Sequence, residues 1–101
     1  MIQSKENIVI TATYQVGEEN LPVVLELLRQ VQSLSVLESG CMYYQAHQTM
    51  ENPGEIFLYE IYENEKALNQ HRLSQHFQEI VVQQIVPLLQ SRNVSILKPI
   101  I

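Results

Sequence analysis

"CMYYQAHQTMENPGEIFLYEIYE" (41–63) holds two runs rich in aromatic and β-branched residues, 41–49 and 55–63, on either side of turn chemistry at 50–54. That arrangement predicts a β-hairpin, because Asn, Pro and Gly supply the backbone angles a reversal needs while the flanking side chains suit a pleated surface. With Thr49 opposite Glu55, Met42, Tyr44, Ala46 and Gln48 share one face with Ile56, Leu58, Glu60 and Tyr62. The other face carries Tyr43, Gln45, His47, Phe57, Tyr59 and Ile61. A slip of one residue would exchange the two sets.

Upstream, "NIVITATYQV" (7–16) alternates, with Ile8, Ile10, Ala12, Tyr14 and Val16 on one face and Thr11, Thr13 and Gln15 on the other. A period of two is the mark of a half-buried strand. From 20 to 37 the period lengthens to that of a helix, placing Leu21, Val24, Leu25, Leu28, Val31 and Ser35 on one stripe. Asn20 is its expected cap, Pro22 is tolerated in the first turn, and Gly40 is the stop signal beyond it.

Downstream, Asn64 introduces a short helix, "EKALNQHRL" (65–73), with Ala67, Leu68 and His71 inward. Ser74 is the expected cap of a second helix over 75–86, whose inner stripe is Phe77, Ile80, Val81 and Gln84. Pro87 ends or kinks that helix. "NVSILKPI" (93–100) reads as a closing strand, with Pro99 confining its end to an edge or tail.

The order is β-α-β-β-α-β with the second helix broken. This predicts an α+β, ferredoxin-like domain spanning 1–101, a four-stranded antiparallel sheet with helices on one face. Both faces of the 55–62 strand carry large apolar side chains, so the face without helices also needs a cover. A homodimer packed through that sheet face, a dimeric α/β barrel, is the expected solution.

The bulk composition agrees. The 101 residues are 46% hydrophobic and 17% charged, enough for a core and too apolar for disorder. A net charge of −5 with six scattered basic residues argues against nucleic-acid binding. The lone Cys41 excludes an internal disulfide and suits a reducing cytoplasm. Neither a signal-peptide pattern nor a membrane-length apolar run is read, so a soluble cytoplasmic protein is expected.

Three stretches carry a resemblance: "SGCMYYQAHQ" (39–48), "FLYEIYENEKAL" (57–68) and "HRLSQHF" (71–77). Together they resemble the antibiotic biosynthesis monooxygenase domain family, over roughly Ile8 to Pro99. The resemblance implies the dimeric ferredoxin-like barrel. It also implies a choice among activities: oxygenation of anthrone-like or quinol compounds without flavin, haem or metal, processing of a phosphorylated autoinducer, quinol oxidation, or haem degradation. The haem degraders of this fold have a Trp near the strand–helix junction and an axial His four residues after the Phe. Here that position is Val81 and the chain has no Trp.

Cofactor-free oxygenation needs an electron-rich substrate, a base that deprotonates it, donors for the resulting anion and a dry pocket. Histidine titrates near neutrality, and tyrosine offers an O–H beside an aromatic wall. The expected catalytic residues are His71, as base, and His76, as its orienting partner. Tyr44, Glu60, Tyr62, Leu58 and Phe77 are the expected substrate-binding lining, together with dioxygen and a small quinol-, anthrone-like or enolisable substrate.

Glu60, a carboxylate in an apolar strand, needs a partner, for which Arg72 or Tyr44 are the candidates. No cofactor and no metal are expected: His71 and His76 are five apart, where one helical face wants three or four, even with Glu60 as a third ligand. The bland reading of each histidine is a hydrogen-bonded packing residue, and His47 falls on the face away from the helices. Two other readings stand beside the oxygenase. One is a non-catalytic ligand-binding or stress-associated dimeric module. The other is an isomerase or degradation enzyme for a phosphorylated signal, using Arg72, Lys66 and Arg92.

Overall fold

The computed structural model describes residues 4–100. Its elements are β1 (Ile8–Val16), α1 (Leu21–Ser35), β2 (Cys41–Gln48), β3 (Glu55–Tyr62) and α2 (Glu65–Leu73), then a wide-wound helix, α3 (Phe77–Ile85), and β4 (Leu89–Leu97). The strands form one antiparallel sheet in the order β2-β3-β1-β4. This is the α+β, ferredoxin-like arrangement.

The hairpin takes the expected register. Gln48 lies opposite Ile56, Ala46 opposite Leu58 and Tyr44 opposite Glu60. β1 pairs with β3 so that Ile8, Ile10, Ala12 and Tyr14 meet Tyr62, Glu60, Leu58 and Ile56. These residues turn one face toward the helices, and all are buried. Near its start β2 shifts register between Cys41 and Tyr43. Met42 is thereby the extra residue of a bulge and leaves the stripe that sequence alternation had given it. Gln48, at the strand end, is exposed and donates to the Pro53 carbonyl.

Helix α1 buries Val24, Leu28, Val31 and Ser35, the expected stripe. Asn20 does not cap it through its side chain, which donates instead to the Leu88 carbonyl at 3.4 Å. Asn64 does cap α2, its Oδ1 accepting from the Ala67 amide at 2.9 Å. Ser74 is extended, with ψ 151°, and breaks the helix. Its Oγ accepts from the Phe77 amide and donates to the His71 carbonyl.

Two expectations need correction. Helix α3 is π-wound, and the residues it buries are Val81 and Ile85, while Gln84 is exposed. A wider turn keeps i and i+4 on one face and rotates i+3 out of it, so Gln84 leaves the stripe. β4 begins at Leu89, because it pairs along β1 from Val16–Leu89 to Val9–Leu97. Tertiary hydrogen bonding therefore extends the strand through Gln90, Ser91 and Arg92, which have no hydrophobic alternation to announce it. Pro87 stands in a single 3₁₀ turn between the two elements, and Pro99 lies past the strand end.

Candidate active site

Three elements converge at one end of the helix–sheet interior. Strand β3 carries Glu60 and Tyr62, helix α2 carries His71, and the turn between α1 and β2 carries Glu38. The approach of that turn to α2 depends on Gly40. A Cβ at this position would overlap the Ala67 side chain, so a larger residue would push the turn and Glu38 away. The Glu38 amide donates to the Ser35 carbonyl, and its own carbonyl accepts from Cys41, which fixes the turn.

Glu38 Oε2 accepts from both histidines, at 2.7 Å from His71 Nδ1 and 2.6 Å from His76 Nε2. The break at Ser74 makes this geometry. Residues five apart on a continuous helix diverge, whereas here α2 stops and the chain turns, so both rings face one carboxylate with centroids 5.8 Å apart. Sequence reading grouped the two histidines but missed Glu38, which lies 33 positions before His71. The available signal was an acidic residue in a turn directly before Gly40 and the β2 strand, since loop residues held by a rigid scaffold commonly carry function.

His71 is 2% exposed. Burial pushes its pKa down, against the opposing pull of Glu38, so the ring is held toward the neutral form. A carboxylate accepts and cannot donate, so the single proton of that neutral ring sits on Nδ1. Nε2 is left with a lone pair, 3.9 Å from Glu60 Oε1. The same oxygen of Glu60 accepts from the Tyr62 hydroxyl at 2.6 Å. Tyr62, and neither Arg72 nor Tyr44, is thus its hydrogen-bonding partner. Burial raises the Glu60 pKa to about 7, a rise opposed by the Tyr62 hydrogen bond. Burial also raises the phenols of Tyr44 and Tyr62, with the Glu60 charge adding to it, so both remain O–H donors.

Beside His71 lies a cavity of about 40 Å³ whose walls include Tyr44, Glu60, Phe77 and Val81, with Arg72 from α2 and Arg92 and Val94 from β4. Tyr44, Glu60, His71 and Phe77, expected at the site, therefore do line one space. Tyr62 supports it through Glu60, and Leu58 is fully buried in the neighbouring core. His76 stands on the far side of Glu38 from His71 and is partly buried. His47 lies apart, on the exposed end of β2, with Nδ1 against the Phe57 carbonyl at 3.0 Å. A larger groove of about 240 Å³ runs between α1 and β2, and its lining lacks this acid–base cluster.

The arrangement is a carboxylate–imidazole dyad beside a small cavity, and it coincides with a family match over residues 7–83 to the model described as antibiotic biosynthesis monooxygenase. The chain belongs to the antibiotic biosynthesis monooxygenase family. Solved structures agree. A conserved protein from Methanosarcina mazei Go1 is 27% identical, with 93% of each chain covered and a TM-score of 0.87. Rv0793 from Mycobacterium tuberculosis is 25% identical, covering 94% of this chain and 96% of that one at 0.87. A structure titled antibiotic biosynthesis monooxygenase is 22% identical, covering 93% and 99% at 0.86, and speaks for the fold alone. No curated protein matches the sequence significantly. Family membership gives a monooxygenase-type frame for the site, and among the described residues no helix is long and apolar enough to cross a membrane.

Proposed function

We propose that this family member is a cofactor-independent monooxygenase acting on a small, electron-rich quinol, anthrone-like or otherwise enolisable compound. The observation that carries the reading is the bare Nε2 of a buried, neutral His71 whose Nδ1–H is held by Glu38. His71 Nε2 takes a proton from the substrate's hydroxyl or activated C–H, and Glu38 stabilises the imidazolium that forms. His76, sharing the same carboxylate oxygen, holds Glu38 in place as a positioning residue. The Tyr44 hydroxyl and protonated Glu60 are donors for the enolate or phenolate. That anion passes one electron to dioxygen. Radical and superoxide then combine to a peroxide anion, which takes the proton back from His71 to become a hydroperoxide, and loss of water from that leaves a carbonyl.

At about 40 Å³ the cavity has room for a water or two, well short of a typical ligand pocket of several hundred Å³. A ring-sized substrate therefore has to displace the Arg72 and Arg92 side chains that line it. Those two cations also favour an anionic substrate, and so keep a second reading in play, the turnover of a small phosphorylated signal. Oxygen-electrode assays with a model anthrone or quinol in metal-free buffer separate the two. Oxygenation predicts dioxygen uptake that falls at least roughly tenfold in His71→Ala. No uptake, together with phosphate-ligand binding that Arg72→Ala abolishes, would replace the oxygenase with the second reading. Ligand-dependent stabilisation without turnover would make the chain a binding module.

We infer further that the protein works in the cytoplasm as a homodimer joined through the open sheet face. Phe57 is 37% exposed there, beside a Tyr43–Tyr59 edge contact with centroids 5.7 Å apart, an apolar surface that a second copy would cover. Light scattering at micromolar concentration should give twice the chain mass. A single-chain mass would remove the dimer from the reading.

A further inference from the structure

We propose that Glu38, His71 and His76 form a binding site for one divalent transition-metal ion of the Zn²⁺ kind. The ligand atoms are Glu38 Oε2, His71 Nδ1 and His76 Nε2, which lie within 4.8 Å of one another. Two imidazole nitrogens and one carboxylate oxygen are a donor set for Zn²⁺ and its first-row neighbours, with a fourth position left for water.

Metal–ligand distances of about 2.0–2.2 Å in a tetrahedron put ligand atoms about 3.4 Å apart. The present separations from Glu38 Oε2 are 2.7 and 2.6 Å, so the carboxylate has to withdraw by about 0.7 Å. Glu38 is the ligand best able to do so, since it sits on a turn and its side chain keeps 18% of its surface accessible. His71, at 3%, is anchored from inside, and His76, at 14%, stands at the rim with Glu38. An ion can therefore enter from the Glu38–His76 edge and meet a preformed inner ligand.

The surroundings supply what such a site requires beyond its ligands. A metal-bound imidazole ordinarily offers its other N–H to a carboxylate. His71 Nε2 already faces Glu60 at 3.9 Å, and Glu60 is itself held by Tyr62. When the ion takes the Nδ1 lone pair, the ring proton must reside on Nε2, which then points toward that carboxylate. The cationic centre also compensates the Glu38 carboxylate, which two imidazoles share. Loading thus turns His71 Nε2 from proton acceptor into donor, and Zn²⁺ would inhibit the proton abstraction proposed above. Binding itself does not depend on the oxygenase reading, and calorimetry decides it whether or not dioxygen is consumed.

The test is isothermal titration of chelator-stripped protein with Zn²⁺, with visible spectra of the Co²⁺ form. One Zn²⁺ per chain is expected, along with the intense Co²⁺ bands of a four-coordinate ion. Glu38→Gln and His76→Ala should each weaken Zn²⁺ at least tenfold, while His47→Ala leaves affinity unchanged. Absence of binding to the unaltered chain, or unchanged affinity in Glu38→Gln, overturns the site. Thermal unfolding without metal reports whether each variant folds. Where one does not, imidazole NMR of the unaltered chain decides. Zn²⁺ shifting His71 and His76 but not His47 supports the site, and any pattern that spares His71 and His76 overturns it.

Discussion

Strand β3 runs through two interiors. Its helix-facing residues are Ile56, Leu58, Glu60 and Tyr62, and the environment changes between the second and the third. The first pair joins Val24, Leu28, Val31, Val81 and Ile85 in a core built mainly of hydrocarbon. The second pair meets His71 and, through it, Glu38 and His76. Both regions are largely buried, but only the first gains stability from burial in proportion to the area removed from water. In the second, each buried polar group costs free energy unless hydrogen-bonded, and the net return from a satisfied network is small. A chain selected for stability alone would fill that end with leucine. Hydrocarbon burial therefore does not account for the polar end, and the hydrocarbon end is what holds it in place.

The sharpest way to break this contrast is to damage each end separately. Leu28→Ala removes a buried side chain, 2% exposed, from the hydrocarbon end, and the helices around it can relax only in part. A loss of about 3 kcal/mol in unfolding free energy is expected from denaturant titration. The pH dependence of stability should be unchanged, because no ionisable group of the cluster is touched. If Leu28→Ala also abolished the pH dependence described below, the two ends would be one cooperative unit and the contrast would fail.

The two ends also differed in how far sequence could disclose them. Hydrophobic alternation in 55–63 and the turn residues at 50–54 were enough to set the hairpin register, which in turn placed Tyr44, Glu60 and Tyr62 on the buried face. The caps at Asn64 and Ser74 announced both the break and the grouping of the histidines. Periodicity could not disclose Glu38, because it belongs to no periodic element and its partners are long-range. It could not disclose the π-winding of α3 either. The apolar pattern of 77–85 fits an ordinary helix as well, so the sequence does not distinguish the two windings. The extension of β4 to Leu89 was hidden too, being set by hydrogen bonds from β1.

At the polar end the expected effect is of similar size and depends on pH. Glu60 has its pKa raised by burial from 4.5 to about 7. Between those values the folded chain holds a proton that the unfolded chain has released, so the contribution of Glu60 is most favourable below 4.5. It falls as pH rises and levels off once the folded group ionises above 7. The difference amounts to roughly 3 kcal/mol between the two plateaus. His71 acts in the opposite direction, since a buried neutral imidazole loses stability as pH falls and the unfolded chain takes up the proton. Comparing the metal-free chain with Glu60→Gln isolates the carboxylate, because the amide cannot ionise while His71 is common to both. Unfolding free energies measured from about pH 4 to about pH 8 should show the unaltered chain losing ground to Glu60→Gln by roughly 3 kcal/mol. A difference that stays constant across that range would mean Glu60 remains ionised in the fold, which would leave the cluster without its protonated donor and remove Glu60 from the proposed chemistry.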